Sequence, residues 1–282
     1  MSATPTVAPT PTATPSAPSS PTHSAAPTHS ASPTRSVATP SHPHLVWPQP
    51  TRASGCPFPA ARPITEAPGS GRTVALTFDD GSSSYTPQIL AVLARLHVHA
   101  TFFDTGLYDS RYPEYAREVL AAGDVIGNHT YDHPFNWGYH ADFTPTQQRS
   151  ELTRTSAVLK PLIGHDPCVM RPPGGAYDAF SLALVRSLGM SLALWNVDTQ
   201  DWQQPPYLSK RFQLTLLRKA EAGAELAHPI ILMHAGKASH EPDCKPSGCA
   251  AGQVSSFRGN TVAVLPELIR YYLARGYRFV TL

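Results

Sequence analysis

From Arg72 onward, the chain alternates short apolar runs with amphipathic stretches of about 10 to 18 residues. Short apolar runs bounded by turn residues are typical of buried strands, whereas amphipathic stretches of this length are typical of helices. The pattern predicts strands over 73–78, 100–105, 124–128, 169–171, 191–197, 230–233 and 278–281. It predicts helices over 87–96, 113–122, 145–163, 179–188 and 261–275, with Thr144 as N-cap of the third. Repeated strand–helix units favour a parallel sheet covered by helices.

About seven strands in about 210 residues approach the eight-stranded (β/α) barrel without reaching it. We therefore predict an α/β fold, a distorted or incomplete (β/α) barrel of about seven parallel strands. An open, doubly wound sheet is the second possibility. Both architectures bind ligands at the carboxyl ends of their strands, so polar residues at those ends are the candidate functional residues.

The N-terminal part of the chain differs sharply in composition from the rest. Of the first 50 residues, 12 are proline, and the first acidic residue is Glu66. Such a segment cannot bury enough apolar surface to offset its ordering entropy, and its prolines favour extended conformations. We predict a Pro/Thr/Ser-rich disordered linker over 1–55 and a single folded domain over 56–282. Because no signal peptide follows Met1, we expect an export or anchoring segment to precede this linker.

The charge balance of the body excludes some classes of partner. Residues 66–282 carry 19 basic and 20 acidic side chains, which leaves no electrostatic footprint for nucleic acid or an anionic membrane surface. No stretch has the roughly 18 consecutive apolar residues that a membrane span needs. We therefore expect no nucleic-acid partner and no membrane span in this chain.

The four cysteines allow three pairings. We favour Cys244 with Cys249, which closes a small loop, and Cys56 with Cys168, which attaches the end of the linker to the body. Both bonds imply an oxidising compartment. The alternative is a zinc site formed by Cys244, Cys249 and His240, although this spacing matches no familiar ligand set.

Two adjacent carboxylates, Asp79 and Asp80, follow the first predicted strand. Like charges this close both stay ionised only where a cation holds each of them. His129 and His133 follow the strand 124–128, and a turn of this spacing would aim both imidazoles at one point. With Asp80 they would form the ligand set of a hydrolytic metal site, with Zn²⁺ as the expected ion. Two solvated loop histidines are the alternative reading.

If Asp80 binds the metal, Asp79 remains beside it as a candidate general base and needs a cation of its own. Arg171 closes the strand 169–171 and precedes the rigid turn Pro172-Pro173-Gly174-Gly175. A buried arginine facing Asp79 would keep that carboxylate ionised and fix its orientation. The alternative is an arginine that only ties down a loop.

His234 ends the predicted strand 230–233 and is the candidate general acid. A carboxylate bonded to one ring nitrogen would let this histidine hold a proton. Asp198 and Asp201 follow another strand and both qualify, with a slight preference for Asp201. Trp202 would wall the cleft, where an indole face suits a sugar ring, but a core tryptophan is an equal alternative.

These residues fall in five short motifs: Thr-Phe-Asp-Asp-Gly, His-Thr-Tyr-Asp-His, Arg-Pro-Pro-Gly-Gly, Asp-Thr-Gln-Asp-Trp and Leu-Met-His. Their order resembles that of the five motifs of the polysaccharide deacetylase family, also called carbohydrate esterase family 4 or the NodB homology domain, over roughly residues 72–282. The resemblance implies a distorted (β/α) barrel. It also implies these roles: Asp79 as base, Asp80, His129 and His133 as metal ligands, Arg171 as tether of the base, and His234 as acid.

The third motif departs from the family pattern. Many members carry an aromatic residue, usually tyrosine, where this chain has Gly174. In the family, a backbone amide near Pro173 or Gly174 is thought to help hold the oxyanion, and glycine keeps an amide, so we expect activity to survive. The segment 237–257 is longer than a minimal loop of the family, and we expect it to reshape the rim of the cleft.

The resemblance implies a metal-dependent hydrolase that removes N-acetyl groups from a β-1,4-linked N-acetylglucosamine-type polysaccharide, such as peptidoglycan or chitin. Two alternatives remain, an O-acetyl esterase acting on xylan or another glycan, and a non-catalytic surface module that binds glycan. We expect a monomeric protein that is secreted or associated with the cell wall or cell surface.

Overall fold

The computed structural model of the chain describes residues 48–238, 241–245, 247–250 and 253–282. The strands are β1 Thr73–Gly81, β2 Thr101–Asp104, β3 Val125–Asn128, β4 Val169–Met170, β5 Ser191–Leu192, β6 Val197–Asp198, β7 Ile230–His234 and β8 Arg278–Phe279. The helices are α1 Thr86–Leu96, α2 Gly106–Arg111, α3 Pro113–Ala121, α4 Pro145–Ile163, α5 Ala179–Ser187, α6 Lys210–Glu221 and α7 Gly259–Leu273.

The strands form one parallel sheet in the order β5-β4-β3-β2-β1-β7-β6, and β8 pairs with the start of β1. The two edge strands, β5 and β6, are joined by only residues 193–196, so the sheet curls until its edges approach each other. Ile64 lies in this gap, where its carbonyl accepts a hydrogen bond of 2.8 Å from the amide of Leu194. The predicted α/β fold, a distorted or incomplete (β/α) barrel of parallel strands, is confirmed.

Strand β1 shows how the sequence sorts side chains between the two faces of the sheet. Val74, Leu76 and Phe78 belong to the main core, which fills the space between the strands and the helices. Because successive side chains of a strand point to opposite faces, Ala75, Thr77 and Asp79 face the inside of the barrel. The last polar residue of this inner row therefore reaches the barrel mouth.

The predicted strand 191–197 is wrong as a single element. Its continuous apolar sequence does not reveal that β5 pairs with β4 at one edge of the sheet while β6 pairs with β7 at the other. Between them the chain crosses the gap, and the Asn196 side chain accepts a hydrogen bond of 2.7 Å from the backbone of Ile230. The need to bridge two sheet edges overrides the local strand preference.

All five predicted helices are present within a few residues of their predicted ends, and α4 begins as its sequence predicts. Thr144 and Gln147 form a capping box, and the helix ends at Gly164 with a φ of 81°. Helices α2 and α6 are not among the predicted elements, and the sequence of α6 is rich in lysine and arginine. Its buried residues Gln213, Leu216, Leu217 and Ala220 nevertheless follow helical spacing.

Both favoured disulfides are present, Cys56–Cys168 with a Cα–Cα distance of 5.2 Å and Cys244–Cys249 with 4.4 Å. The bonded cysteines are therefore unavailable as zinc ligands, and His240 lies outside the described residues. Most of the predicted linker 1–55 also lies outside them. Near its predicted end, the amide of Thr51 donates a hydrogen bond of 2.9 Å to the carbonyl of Arg186.

None of the helices in the described part of the chain is both long enough and apolar enough to cross a membrane.

Candidate active site

The polar residues predicted from the motifs gather at the carboxyl ends of the central strands. Asp79 at the end of β1 pairs in register with His234 at the end of β7. On the other side of β1, the chain leaving β3 carries His129, whose amide donates to the carbonyl of Asp104 at 3.0 Å. The parallel arrangement brings residues from distant parts of the sequence to one edge.

Asp80, His129 and His133 form a buried three-residue cluster that could hold a metal ion. The Nε2 atoms of both histidines lie 3.6 Å from Oδ1 of Asp80. This oxygen is buried and makes no hydrogen bond to any described residue. Buried polar atoms are rarely left without a partner, so the orphaned oxygen between two imidazole nitrogens is the place where a cation fits.

The hydrogen bond on the far side of His129 fixes which of its nitrogens is available. Nδ1 lies 2.7 Å from the backbone carbonyl of Arg171. Because a carbonyl only accepts, Nδ1 carries the proton, and in the neutral ring the lone pair of Nε2 faces Asp80. Burial by itself would raise the pKa of Asp80, but His133, His234 and His129 outweigh it and lower that pKa. The donor set is thus one carboxylate and two imidazoles, which suits Zn²⁺.

The backbone around this cluster is strained in a way that brings its ligands together. Asp80 and His133 both adopt a φ of 58°, a left-handed conformation that is uncommon for residues with a side chain. Gly81 next to Asp80 could not carry a side chain, because its Cβ would lie 1.9 Å from Oδ1 of Asp104. The glycine of the first motif therefore allows the chain to turn closely over β2.

Asp79 is held by a buried arginine. Nη1 of Arg171 donates to Oδ1 of Asp79 at 2.7 Å and to Oγ1 of Thr77 at 2.8 Å, and Nη2 donates to the carbonyl of Leu194 at 2.9 Å. The guanidinium is fully buried over the ring of Phe103, 4.2 Å from its centroid. The other oxygen of Asp79 remains 3.6 Å from Nε2 of His129, so it points toward the cluster.

His234 is paired with Asp201. Its Nδ1 lies 2.7 Å from Oδ1 of Asp201, while Oδ2 accepts from the amide of His234 at 3.0 Å and from Oγ1 of Thr261 at 2.7 Å. Burial would lower the pKa of His234, but the charge and hydrogen bond of Asp201 raise it overall. Asp198, the other predicted partner, is exposed and accepts instead from the amide of Gln200 at 2.8 Å.

The cluster lies at the bottom of a cavity of about 250 Å³. Phe135, Trp195 and Trp202 contribute aromatic surface to its lining. Gly174 also lines it with a φ of 59°, and a Cβ at this position would lie 3.1 Å from the ring of Phe135. The ring of Phe135 therefore lies against Gly174, the position of the third motif at which many members of the family carry an aromatic residue. Pro173 is buried beneath this turn.

Several residues of the site were not predicted. Glu241, Phe135 and Trp195 line the same cavity, and Arg258 is fully buried, where it donates through Nε to the carbonyl of Gly236 at 2.7 Å. Burial and the neighbouring Asp80 raise the pKa of Glu241 to about 7. The position of Phe135 two residues after His133 was an available signal. Glu241 lies in the segment 237–257, and the length of that segment is a signal that does not single out any one of its residues.

A second cavity of about 330 Å³ shares Asp80 with the first. Four tyrosines contribute to its lining, Tyr85, Tyr108, Tyr112 and Tyr115. Tyrosines combine an apolar face with a hydroxyl, which suits contact with a sugar.

Comparisons with known proteins agree with this geometry. The family described as polysaccharide deacetylase matches residues 66–193. A peptidoglycan-N-acetylglucosamine deacetylase from Bacillus cereus is 31% identical over 210 residues, which cover 74% of this chain and 66% of the relative. A chitooligosaccharide deacetylase from Azorhizobium caulinodans is 30% identical over 207 residues, covering 73% of this chain and 90% of the relative.

Among solved structures, a peptidoglycan N-acetylglucosamine deacetylase in complex with 4-naphthalen-1-yl-N-oxidanyl-benzamide superposes with a TM-score of 0.64. The two sequences are 28% identical, and the match covers 78% of this chain and 90% of the chain of that deacetylase. Fold and site define a metal-dependent class of carbohydrate-active hydrolases. The chain belongs to the polysaccharide deacetylase family, carbohydrate esterase family 4 with the NodB homology domain, and is a polysaccharide deacetylase.

Proposed function

We propose that this protein hydrolyses the N-acetyl group of a β-1,4-linked N-acetylglucosamine polysaccharide, peptidoglycan or chitin, to give a free amine and acetate. The observation that carries the proposal is the convergence of three arrangements on one cavity. These are the Asp80–His129–His133 cluster, the Asp79–Arg171 pair and the His234–Asp201 pair. The names of the relatives from Bacillus and Azorhizobium support an amino-sugar substrate.

In this proposal Asp80, His129 and His133 hold Zn²⁺. A bound zinc ion would polarise the acetyl carbonyl and lower the pKa of the attacking water toward about 7. Asp79 takes a proton from that water, since its free oxygen points toward the cluster at 3.6 Å from Nε2 of His129. Arg171 fixes the orientation of Asp79 through their 2.7 Å bond.

His234 then donates a proton to the departing nitrogen. Its pKa is raised despite burial, because Asp201 stabilises the protonated ring, and a proton held in this way is available when the C–N bond breaks. Asp201 is itself fixed by Thr261, so it positions the ring. The backbone N–H of Gly174 steadies the oxyanion, while Pro173 has no N–H and can only support this turn.

The shape of the site supports a polymeric substrate. Trp202 and Trp195 line the inner cavity, and the tyrosine-lined cavity continues past Asp80, so more than one sugar could lie along the surface. Two disulfides support a secreted or cell-surface location, since such bonds persist in oxidising compartments.

The test compares acetate release from N-acetylglucosamine oligomers, peptidoglycan and acetylated xylan under matched conditions. The proposal expects release from the amino-sugar substrates and little from xylan. Release from acetylated xylan alone would replace it with the O-acetyl esterase. Glycan binding without release from any of the three, by protein with metal bound, would favour the non-catalytic module.

A further inference from the structure

The segment that follows β7 is fastened across the cavity by several independent contacts. The amide of Val254 donates to the carbonyl of Pro242 at 3.0 Å, and the amide of Ser255 donates to the carbonyl of Trp202 at 2.8 Å. The carboxylate of Asp243 accepts from Oγ of Ser256 at 2.7 Å, and the Cys244–Cys249 disulfide closes the loop between them. This part of the chain therefore has a defined position over the site.

These contacts hold Glu241 beside the metal-binding cluster. The ammonium of Lys237 donates to the backbone carbonyl of Glu241 at 2.6 Å, which fixes the backbone from which the side chain projects. The side chain is 8% exposed, and Oε1 lies 3.8 Å from Nδ1 of His133. Oε2 is buried and makes no hydrogen bond to any described residue. A buried carboxylate needs compensating positive charge. Lys237, Arg258 and His234 already supply part of it, and a cation held by the cluster would add to it.

His133 can serve as a ligand only if its Nε2 offers a lone pair to the cation. That requires the proton of the neutral ring to be on Nδ1, as it is in His129, where the carbonyl of Arg171 accepts it. Metal-binding histidines commonly have a carboxylate or carbonyl facing the other ring nitrogen, which fixes the tautomer and ring orientation. Glu241 presents such a carboxylate, with Oε1 3.8 Å from Nδ1 of His133.

We propose that Glu241 is a positioning residue of the metal site, which orients His133 from outside the ligand set and adds negative charge next to the cation. The segment 237–257 then contributes to the metal site through Glu241 and does more than shape the rim of the cleft. The inference rests on the proposed function only in taking Asp80, His129 and His133 as the cation ligands. It does not require that acetyl groups are hydrolysed.

The test measures the dissociation constant of Zn²⁺ by competition with a chromophoric chelator, using the full chain after metal removal. Loss of a carboxylate that supports a ligand typically weakens metal binding by about 10–100-fold, so Glu241→Ala should raise the dissociation constant by that factor. Glu241→Gln keeps the shape and an acceptor but removes the charge, and should give a smaller rise of about threefold or more. The matched control is Glu225→Gln, which removes the charge of an exposed residue before β7 and should leave the constant unchanged.

The melting temperature of each metal-free variant separates loss of fold from loss of the metal. If Glu241→Ala is unfolded, Glu241→Gln decides. A rise of less than about threefold in a folded Glu241→Gln and less than about tenfold in a folded Glu241→Ala would overturn the inference. Acetate release by the wild type is an independent readout. Its absence would reject the proposed hydrolysis while leaving these affinities to decide the role of Glu241.

Discussion

Replacing Asp201 by asparagine tests the electrostatic basis of the proposed acid. Asp201 is fully buried and accepts three hydrogen bonds, two of them from the ring and the backbone amide of His234. Asparagine has the same shape, and its carbonyl can still accept from the His234 amide and from Thr261. Its NH₂ group then faces Nδ1 of His234, which can accept only when the imidazole is neutral. The variant should therefore fold while losing the charge that favours the imidazolium.

The size of the effect follows from the contact that is lost. A hydrogen bond to a charged group contributes about 1.5–3 kcal/mol, and one pKa unit corresponds to about 1.4 kcal/mol. The pKa of His234 should thus fall by about 1–2 units in Asp201→Asn. Burial, which opposes protonation in the wild type, then acts without the opposing attraction of Asp201. If protonated His234 is the acid, the alkaline limb of the pH–rate profile should move to lower pH by the same amount.

The His234–Asp201 pair should also make the free energy of unfolding depend on pH in a defined direction. In the wild type the pKa of folded His234 is raised above its unfolded value of about 6.5. The protonated pair therefore contributes its full stability below about pH 6.5, and this contribution is lost as the pH rises through the folded pKa. Asp201→Asn should show its largest deficit in unfolding free energy at the acidic end of that range.

The assay is an NMR titration of the His234 ring, together with pH–rate profiles on N-acetylglucosamine oligomers. Asp198→Asn is the matched control because Asp198 is an exposed aspartate of the same cavity that bonds to Gln200. The control should leave the alkaline limb in place. A His234 pKa in Asp201→Asn within about half a unit of the wild-type value would refute the assigned role of Asp201.

Three further predictions follow from the same structure. Asp79→Asn should retain bound metal and lose turnover, whereas Asp80→Ala should lose both. Elemental analysis measures the bound metal, and acetate release measures turnover. Substantial turnover in Asp79→Asn would reject Asp79 as the base. Arg171→Met leaves a buried carboxylate unpaired and should lower the free energy of unfolding by about 3–5 kcal/mol; a urea-denaturation change below about 1 kcal/mol would contradict the buried pair. Replacing Cys56 and Cys168 together by serine removes a cross-link with a sequence separation of 112. This should lower the free energy of unfolding by about 4–5 kcal/mol. An unchanged urea-denaturation midpoint would contradict this prediction.

The sequence predicts the site better than it predicts the edges of the sheet. Asp79, His129, Arg171 and His234 each follow or end an apolar strand, and the carboxyl ends of parallel strands meet at one edge whatever the details of the loops. That rule alone brings the four side chains together. The start of α4 was equally legible, because Thr144 and Pro145 are local signals that act through the adjacent backbone.

What the sequence could not predict depends on contacts between distant segments. The break between β5 and β6 follows from pairing with opposite edges of a curled sheet and from the insertion of Ile64, neither of which is encoded locally. Glu241 lies near His133 in a segment whose later residues bond to the backbones of Trp202 and Pro242. No spacing rule links residues 108 positions apart.

The central claim is that a single cation, held by Asp80, His129 and His133, is required for acetyl hydrolysis. The most direct test removes the metal from the full chain, adds back Zn²⁺ in measured amounts, and follows acetate release from N-acetylglucosamine oligomers. The account predicts release that rises in proportion to bound zinc and saturates at one ion per chain, with none in Asp80→Ala. Equal release from the metal-free wild type, or from Asp80→Ala without bound metal, would contradict it.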